Sequence, residues 1–306
     1  MKFLSRYRFL GPLTAVIIAL GGLLLTYNWI QASNEVALSN ERMSWGFRKN
    51  HDHRIPGITQ TEQKLIERYN AVFTVNTDQP QVVLTFDMGY EEEGHTPRIL
   101  EILAEKEVSA AFFVTGHYLS SQPEVSRAIL EQGHLLENHS WGHKNLITLS
   151  DAGVIDEISK WDDLAFEIAS HHGSYFRPPK GEYSERVLKL TQDTGYRTIF
   201  WSIALVDWKP MPDPGQAVTK VVNHLHQGAV ILLHGTSIDV VNKLPEIIDG
   251  IRQAGYEIVP LDEALGDVEP PSADGADDSE GDSGNTEQRT PIQIFIDILR
   301  RLFTGK

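Results

Sequence analysis

His139 and His143 stand four residues apart in the run His139-Ser140-Trp141-Gly142-His143, with Asp87 closing an LTFD run upstream and His234 inside LLHG downstream. Imidazole and carboxylate are the side chains that bind divalent metals or move protons near neutral pH. The chain holds no cysteine, which excludes a thiolate metal site, a cysteine nucleophile and a disulfide scaffold together. Ser140 has no obvious paired base, so a serine-hydrolase triad is not expected.

These groups have to be positioned by something, and the chain alternates strand-like and helix-like segments. Short β-rich runs occur at 82–86, 110–114, 134–137, 174–176, 198–201, 229–233 and 256–259. Helical stretches separate them. One is announced by Ser120, Ser121 and Pro123 and stopped by Gly133, another begins near Ser150-Asp151, and a later one ends at Gly255. Strands spaced by helices favour a parallel sheet, because parallel neighbours need a crossover. The expected fold is α/β, a distorted β/α barrel of about seven parallel strands, with a doubly wound open sheet as the other arrangement. Asp87, His139, Arg177, Asp207 and His234 each fall at or just after the carboxyl end of a strand run, where such barrels carry their active sites. Taken singly, each has a bland explanation: a solvated His pair, a helix cap at Asp87, a surface cation at Arg177, a turn at Asp207. Their common phase with the strands is what favours one shared site.

Composition sets the outer limits. With 306 residues, 41% of them hydrophobic, the chain has material for one sizeable core plus appendages. A formal net charge of -15 argues against nucleic acid as a partner, since a phosphate backbone rewards clustered Lys and Arg. Lys2, Arg6 and Arg8 precede an uncharged stretch whose apolar heart, 9–30, is about the ~20 residues that span hydrocarbon. Residues 1–34 therefore read as a membrane anchor, or a signal segment, with the positive charges inside and the remainder outside. Residues 35–79 form a lead-in, 80–265 the working domain, and 266–290 an acidic, apolar-poor linker expected to be disordered. Residues 291–306 read as a short amphipathic helix, suited to a membrane surface or to docking on protein.

From about Gln81 to Leu265 the chain resembles the polysaccharide deacetylases of the NodB-homology type, carbohydrate esterase family 4. The resemblance lies in LTFDMGYE, HSWGH, RPPKGEYSE, VDW and LLHG, which match the family's blocks in order and approximate spacing. It implies a NodB-like distorted barrel, hydrolysis of an N-acetyl group on an amino sugar, and usually a divalent metal. Within the family, TFDMGYE, Asn138-His139-Ser140, Phe200-Trp201-Ser202, Asp207-Trp208 and the upstream Ser44-Trp45-Gly46-Phe47 are similar to the PdaA-type members, which deacetylate N-acetylmuramic acid of peptidoglycan on the way to muramic δ-lactam. By position, the resemblance implies Asp87 as catalytic base, His234 as general acid, Asp207 and Arg177 as their supporting residues, and His139 and His143 as metal ligands. Tyr183, Trp208 and Trp141 are the expected substrate contacts. Peptidoglycan strands are the implied partner and the outer face of the cell membrane the implied location.

One position departs from the pattern. The family usually carries a second aspartate, a metal ligand, where this chain has Met88. A thioether is a soft, uncharged donor. The site then has three possible states: a metal on two histidines and waters, a metal held also by Asp87, or no tightly bound metal, with Zn, Co, Ni and Mn all compatible with the remaining donors. N-acetylglucosamine is the alternative substrate, and a glycan-binding protein without turnover the alternative class. His95, His171, His172, His224 and His226 read as surface or helix-face residues, His51 and His53 as loop residues, and Glu91 to Glu93 as a solvated acidic run.

Overall fold

The computed structural model of the protein describes residues 38–48, 52–92 and 94–266. The apolar segment 9–30, the acidic linker after Gly266 and the tail 291–306 lie outside the described residues. Among the described residues no helix is long and apolar enough to cross a membrane.

The elements run β1 (Met43–Ser44), α1 (Gln60–Arg68), β2 (Gln81–Met88), α2 (His95–Glu105), β3 (Ala111–Val114), α3 (Gly116–Ser121), α4 (Pro123–Glu131), β4 (Leu135–Asn138), α5 (Asp151–Ala169), β5 (Tyr175–Phe176), β6 (Glu182–Tyr183), α6 (Glu185–Asp193), β7 (Arg197–Thr198), β8 (Ile203–Ala204), α7 (Gly215–Val222), β9 (Ala229–His234), α8 (Ile238–Gln253), β10 (Glu257–Ile258) and α9 (Leu261–Leu265). The expected helix signals act as read. Pro123 sits in the first turn of α4, the Ser150 side chain accepts the Gly153 N–H at the start of α5, and Gly255 takes a positive φ just beyond α8.

Seven strands form one curled, parallel half-barrel in the order β7-β5-β4-β3-β2-β9-β8, and β10 pairs with the first residues of β2. All seven strand runs expected from the sequence are present. The seven on the continuous path nevertheless include β8, a two-residue strand with no signal of its own, while β10 stands beside that path. The sheet does not close on itself. The extended lead-in runs between edge strand β7 and the start of β9: Val72 N–H donates to the Thr198 carbonyl at 2.9 Å, Phe200 N–H to the Val72 carbonyl at 2.7 Å, and Val75 N–H to the Gly228 carbonyl at 2.8 Å.

The phase of β2 decides which residues meet the site. Val82, Leu84, Phe86 and Met88 pack with Leu100, Leu244 and Ile248 under the helices, whereas Val83 packs on the concave side with Phe113 and Val230. Successive strand side chains point to opposite faces, so Thr85 and Asp87 share the concave side with Val83. Beneath the sheet's far edge, Trp45 stacks on Phe200 with centroids 4.4 Å apart and donates its indole N–H to the Trp201 carbonyl at 2.8 Å. Trp45 is thus a buried brace that fastens the lead-in to the barrel.

Candidate active site

Asp87 is the penultimate residue of β2, its carboxylate almost wholly buried, and the charge it carries there is matched by Arg177, which follows β5 and is fully buried. Arg177 Nη1 donates to Asp87 Oδ1 at 2.7 Å and to Thr85 Oγ at 3.0 Å, and Nε donates to the Ile199 carbonyl at 3.1 Å. The guanidinium also lies 4.0 Å over the Phe113 ring. Burial pushes the Asp87 carboxyl up, but Arg177, helped by His139 and His234, outweighs it and holds the group below the ordinary carboxylate range. Arg177 is therefore an interior partner of Asp87, not a surface cation.

His139 follows β4 and is buried. Its Nδ1–H donates to the Arg177 carbonyl at 2.8 Å, which leaves the Nε2 lone pair facing Asp87 Oδ2 at 3.6 Å. The loop that follows is held from several sides. Asn138 Oδ1 accepts the Ser140 N–H at 2.9 Å, Ser140 Oγ accepts the His143 N–H at 2.9 Å, and Glu157 Oε2 accepts the Gly142 N–H at 2.7 Å. Ser140 and His143 both take positive φ, a conformation that these hydrogen bonds compensate. The turn brings the two imidazoles to 5.0 Å between centroids. Burial is the largest influence on both rings and lowers both pKa values, so each is neutral and carries a free lone pair at physiological pH. His143 is exposed, and after burial the charges of His139 and Lys180 lower its pKa further, against a raising influence from Asp87.

His234 ends β9, directly opposite Asp87 in the register of two adjacent parallel strands. Asp207, fully buried, grips it twice: Oδ1 accepts from His234 Nδ1–H at 2.8 Å and Oδ2 accepts the His234 backbone N–H at 2.9 Å. Burial opposes protonation of this ring, yet the Asp207 hydrogen bond and charge, with Asp87 behind them, outweigh it and raise its pKa. Nδ1 being occupied, Nε2 is the nitrogen left for a substrate. Trp208 stands beside it, 58% exposed, its ring 5.5 Å from the imidazole and nearly perpendicular to it.

His139 and His143, both neutral, are the residues that would hold a divalent ion, and Asp87 Oδ2 lies 3.6 Å from His139 Nε2. Among the described residues no group of three His, Asp or Glu side chains has metal-site geometry. Met88 supplies nothing toward one; it is buried on the helix side of β2.

Of the expected residues, Asp87, Arg177, His139, His143, Asp207 and His234 come together, with Trp208 at their edge. Tyr183 does not. It is 1% exposed and packs against Phe200, Trp45 and Tyr69 beneath the site, because β6 pairs with the lead-in strand β1 and turns the ring into that cluster. The expected substrate contact at Tyr183 is thereby corrected to a core residue. Trp141 is half-buried and lies flat on Gly116, where an added Cβ would come within 2.3 Å of its ring, so much of its surface serves the loop–helix packing. Glu91 is not a solvated residue either: it accepts the Thr96 N–H at 3.0 Å at the start of α2 and the Tyr118 hydroxyl at 3.0 Å, pinning the loop after Asp87. His95 lies buried in the first turn of α2, and His226, expected on the surface or a helix face, is buried. Glu157 escaped sequence reasoning, and Asn138 and Thr85 figure there only as motif members without a role. Only Asn138 and Thr85 carry a signal, their place inside the motif blocks.

Residues 74–199 match the family model described as polysaccharide deacetylase. The peptidoglycan-N-acetylmuramic acid deacetylase PdaA of Bacillus subtilis (strain 168) is 36% identical over 237 residues, 76% of this chain and 90% of that protein. A peptidoglycan-N-acetylglucosamine deacetylase of Bacillus cereus is 29% identical over 245 residues, 78% of this chain and 82% of that protein. The solved structure of Bacillus subtilis PdaA, a family 4 carbohydrate esterase, superposes with a TM-score of 0.71 at 35% identity, covering 74% of this chain and 98% of that one.

Proposed function

The chain belongs to the polysaccharide deacetylase family, and on that premise we propose that it hydrolyses the acetamide of N-acetylmuramic acid in peptidoglycan, with Asp87 as base and His234 as acid. The observation that carries the reading is the register pair itself. Two groups side by side on adjacent strands are pushed in opposite directions, Asp87 toward the carboxylate and His234 toward the imidazolium. That is the protonation state a base and an acid need before the reaction starts.

Asp87, anchored through Oδ1 by Arg177, keeps Oδ2 for a water and takes its proton as the oxygen attacks the acetyl carbon. As the C–N bond breaks, His234 gives its Nε2 proton to the amine nitrogen, and acetate and the free amino sugar are the products. Asp207 fixes the ring that delivers the proton and stabilises its charged form. A carboxylate held low by a guanidinium is a weak base on its own. A divalent ion such as Zn, Co, Ni or Mn on His139 and His143 would supply the missing drive by polarising the acetyl carbonyl and acidifying water. Trp208, with Tyr90 at 51% and Val206 at 60% exposure, offers apolar surface on which a sugar ring can stack.

The muramic reading is supported by the higher identity to the N-acetylmuramic acid enzyme than to the N-acetylglucosamine enzyme, 36% against 29%, and by the motif blocks. Acetate release from denuded glycan strands and not from chitooligosaccharides is the expected result. Release from chitooligosaccharides alone replaces the muramic assignment with N-acetylglucosamine, and release from neither favours a glycan-binding protein. Residues 1–34 are proposed to hold this domain on the outer face of the cell membrane, supported by the basic start and apolar run. Solubilisation of the full chain from membranes by alkaline carbonate would exclude the anchor.

A further inference from the structure

Met88 occupies the position of the family's second aspartate, and alternation along β2 decides what it can do there. Asp87 faces the concave side, so its neighbour faces the helices, where Met88 is 1% exposed and shares a cluster with Phe86, Leu84 and Ile99. On β9 the same alternation turns His234 inward and sets Gly235 on Met88's side, since His234 is the register partner of Asp87. The residue after the base and the residue after the acid therefore meet behind the site.

Their contact is tight. A Cβ built on Gly235 would lie 2.1 Å from Met88 Sδ, 2.4 Å from Met88 Cε and 3.3 Å from Ile99 Cδ1. Gly235 is not among the residues with positive φ, so its backbone does not call for glycine; a methyl there would instead have to displace the end of the Met88 side chain, which is 1% exposed in its cluster. The Gly235 peptide is gripped from two other directions as well. Its N–H donates to the Asp87 carbonyl at 3.4 Å, and its carbonyl lies 3.2 Å from His95 Nδ1. Gly235 is thus wedged between Met88, the Asp87 main chain and His95, one peptide beyond the proposed acid.

We propose that Met88 is a positioning residue whose side chain, packed on Gly235, sets the separation of Asp87 and His234. The proposal rests on the assignment of those two residues as base and acid. The Met88 side chain itself is part of the packing under the helices, with Phe86 and Ile99.

Met88→Ala, Met88→Leu, Gly235→Ala and the double variant Met88→Ala/Gly235→Ala test it through kcat, KM and thermal melting. Small displacements of reacting groups cost up to about a hundredfold in rate. Gly235→Ala should lose about that in kcat, and Met88→Ala about tenfold with KM within about twofold. Met88→Leu, which refills the volume, should stay within about threefold of the parent. The double variant should recover at least about tenfold over Gly235→Ala, because the new methyl occupies room the thioether has left. A double variant no faster than Gly235→Ala overturns the proposal. So does a Met88→Ala protein with a lowered Tm and parental kcat, which reduces Met88 to core packing. If the parent releases no acetate from any glycan, the functional assignment fails, and the Gly235→Ala and double-variant melting temperatures still decide whether the contact exists.

Discussion

Arg177 Nη1 lies 2.7 Å from Asp87 Oδ1, with both charged groups inside the barrel and a phenylalanine ring under the guanidinium. An ion pair this deep is costly to half-remove, because the surviving charge has no water to replace its partner. The same pair keeps Asp87 ionised, so one contact serves stability and chemistry together.

Replacing Arg177 with Met should cost roughly 3–5 kcal/mol in denaturant unfolding at neutral pH. The sign with pH follows from the lowered Asp87 pKa: the stabilisation is present above the unfolded carboxyl value and is lost as pH falls through the folded one. The gap between parent and Arg177→Met should therefore narrow in acid. Arg177→Lys should not rescue, since one ammonium cannot serve Asp87, Thr85 and the Ile199 carbonyl at once. An unfolding curve for Arg177→Lys that overlays the parent's would contradict this.

Asp87→Asn and His234→Ala should each lower kcat for acetate release by roughly 10²–10⁴, as removal of a general base or acid does; His234→Ala should keep the parent's fold, while Asp87→Asn, which leaves Arg177 without its buried partner, should also lower Tm. Circular dichroism and Tm check the fold, and a coupled acetate assay checks the rate. Parental rates in both variants would end the acid–base assignment.

The proposed acid, His234, acts as an imidazolium, and its raised pKa places the loss of that form on the alkaline side. The Asp207 contact contributes its stability in full below the ordinary value of 6.5 and loses it as pH rises through the raised value. The descending limb of kcat/KM should fall in that same upper window. Asp207→Asn should move the limb to lower pH and also reduce the plateau, because Asn can present its amide to Nδ1 and select the wrong tautomer. A pH–rate profile with an unmoved limb argues that another group supplies the proton.

Glu157 touches neither imidazole, yet it holds the loop between them by accepting from the Gly142 N–H and from Lys144. Glu157→Ala should weaken Zn²⁺ binding by about 10–100-fold, the usual effect of losing a group that orients metal ligands. His143→Ala should weaken it at least as much. Calorimetric titration reads both, and equal affinity in all three proteins would remove the ion from this pair of histidines.

Glu137 is a buried carboxyl on β4 whose pKa burial raises to about 8, against the relief given by the Ser174 and Tyr175 N–H groups. A carboxyl raised on folding costs stability above its unfolded value, at about 1.4 kcal/mol per pH unit between the two values. Glu137→Gln keeps an oxygen for both amides and removes the titration. Its Tm relative to the parent should rise steadily from pH 5 to pH 8; a constant difference would show that Glu137 is charged in the fold throughout.

Much of the site was legible because its members stand at strand ends, and strand ends are written locally. LTFD, HSWGH, RPP, VDW and LLHG each couple an apolar run to a polar stop, so Asp87, His139, Arg177, Asp207 and His234 could be set on one rim before any coordinates. The seven strand runs that were expected, each an apolar stretch of its own, were legible for the same reason. The two-residue β8 was not, since two residues show no period, and the open half-barrel was not, since closure depends on whether distant edges meet.

The sequence by itself determined the family pattern, the order of strands and helices, and the identity of the titrating side chains, because period and motif are properties of near neighbours. Tertiary structure decided the partners. It sent Arg177 to Asp87 across 90 residues, turned Tyr183 into the core, made Glu91 a cap, and faced Met88 toward Gly235. Those outcomes depend on which face of a strand a residue occupies and on which strand lies beside it, and both are settled only when separate stretches of chain pack into one sheet.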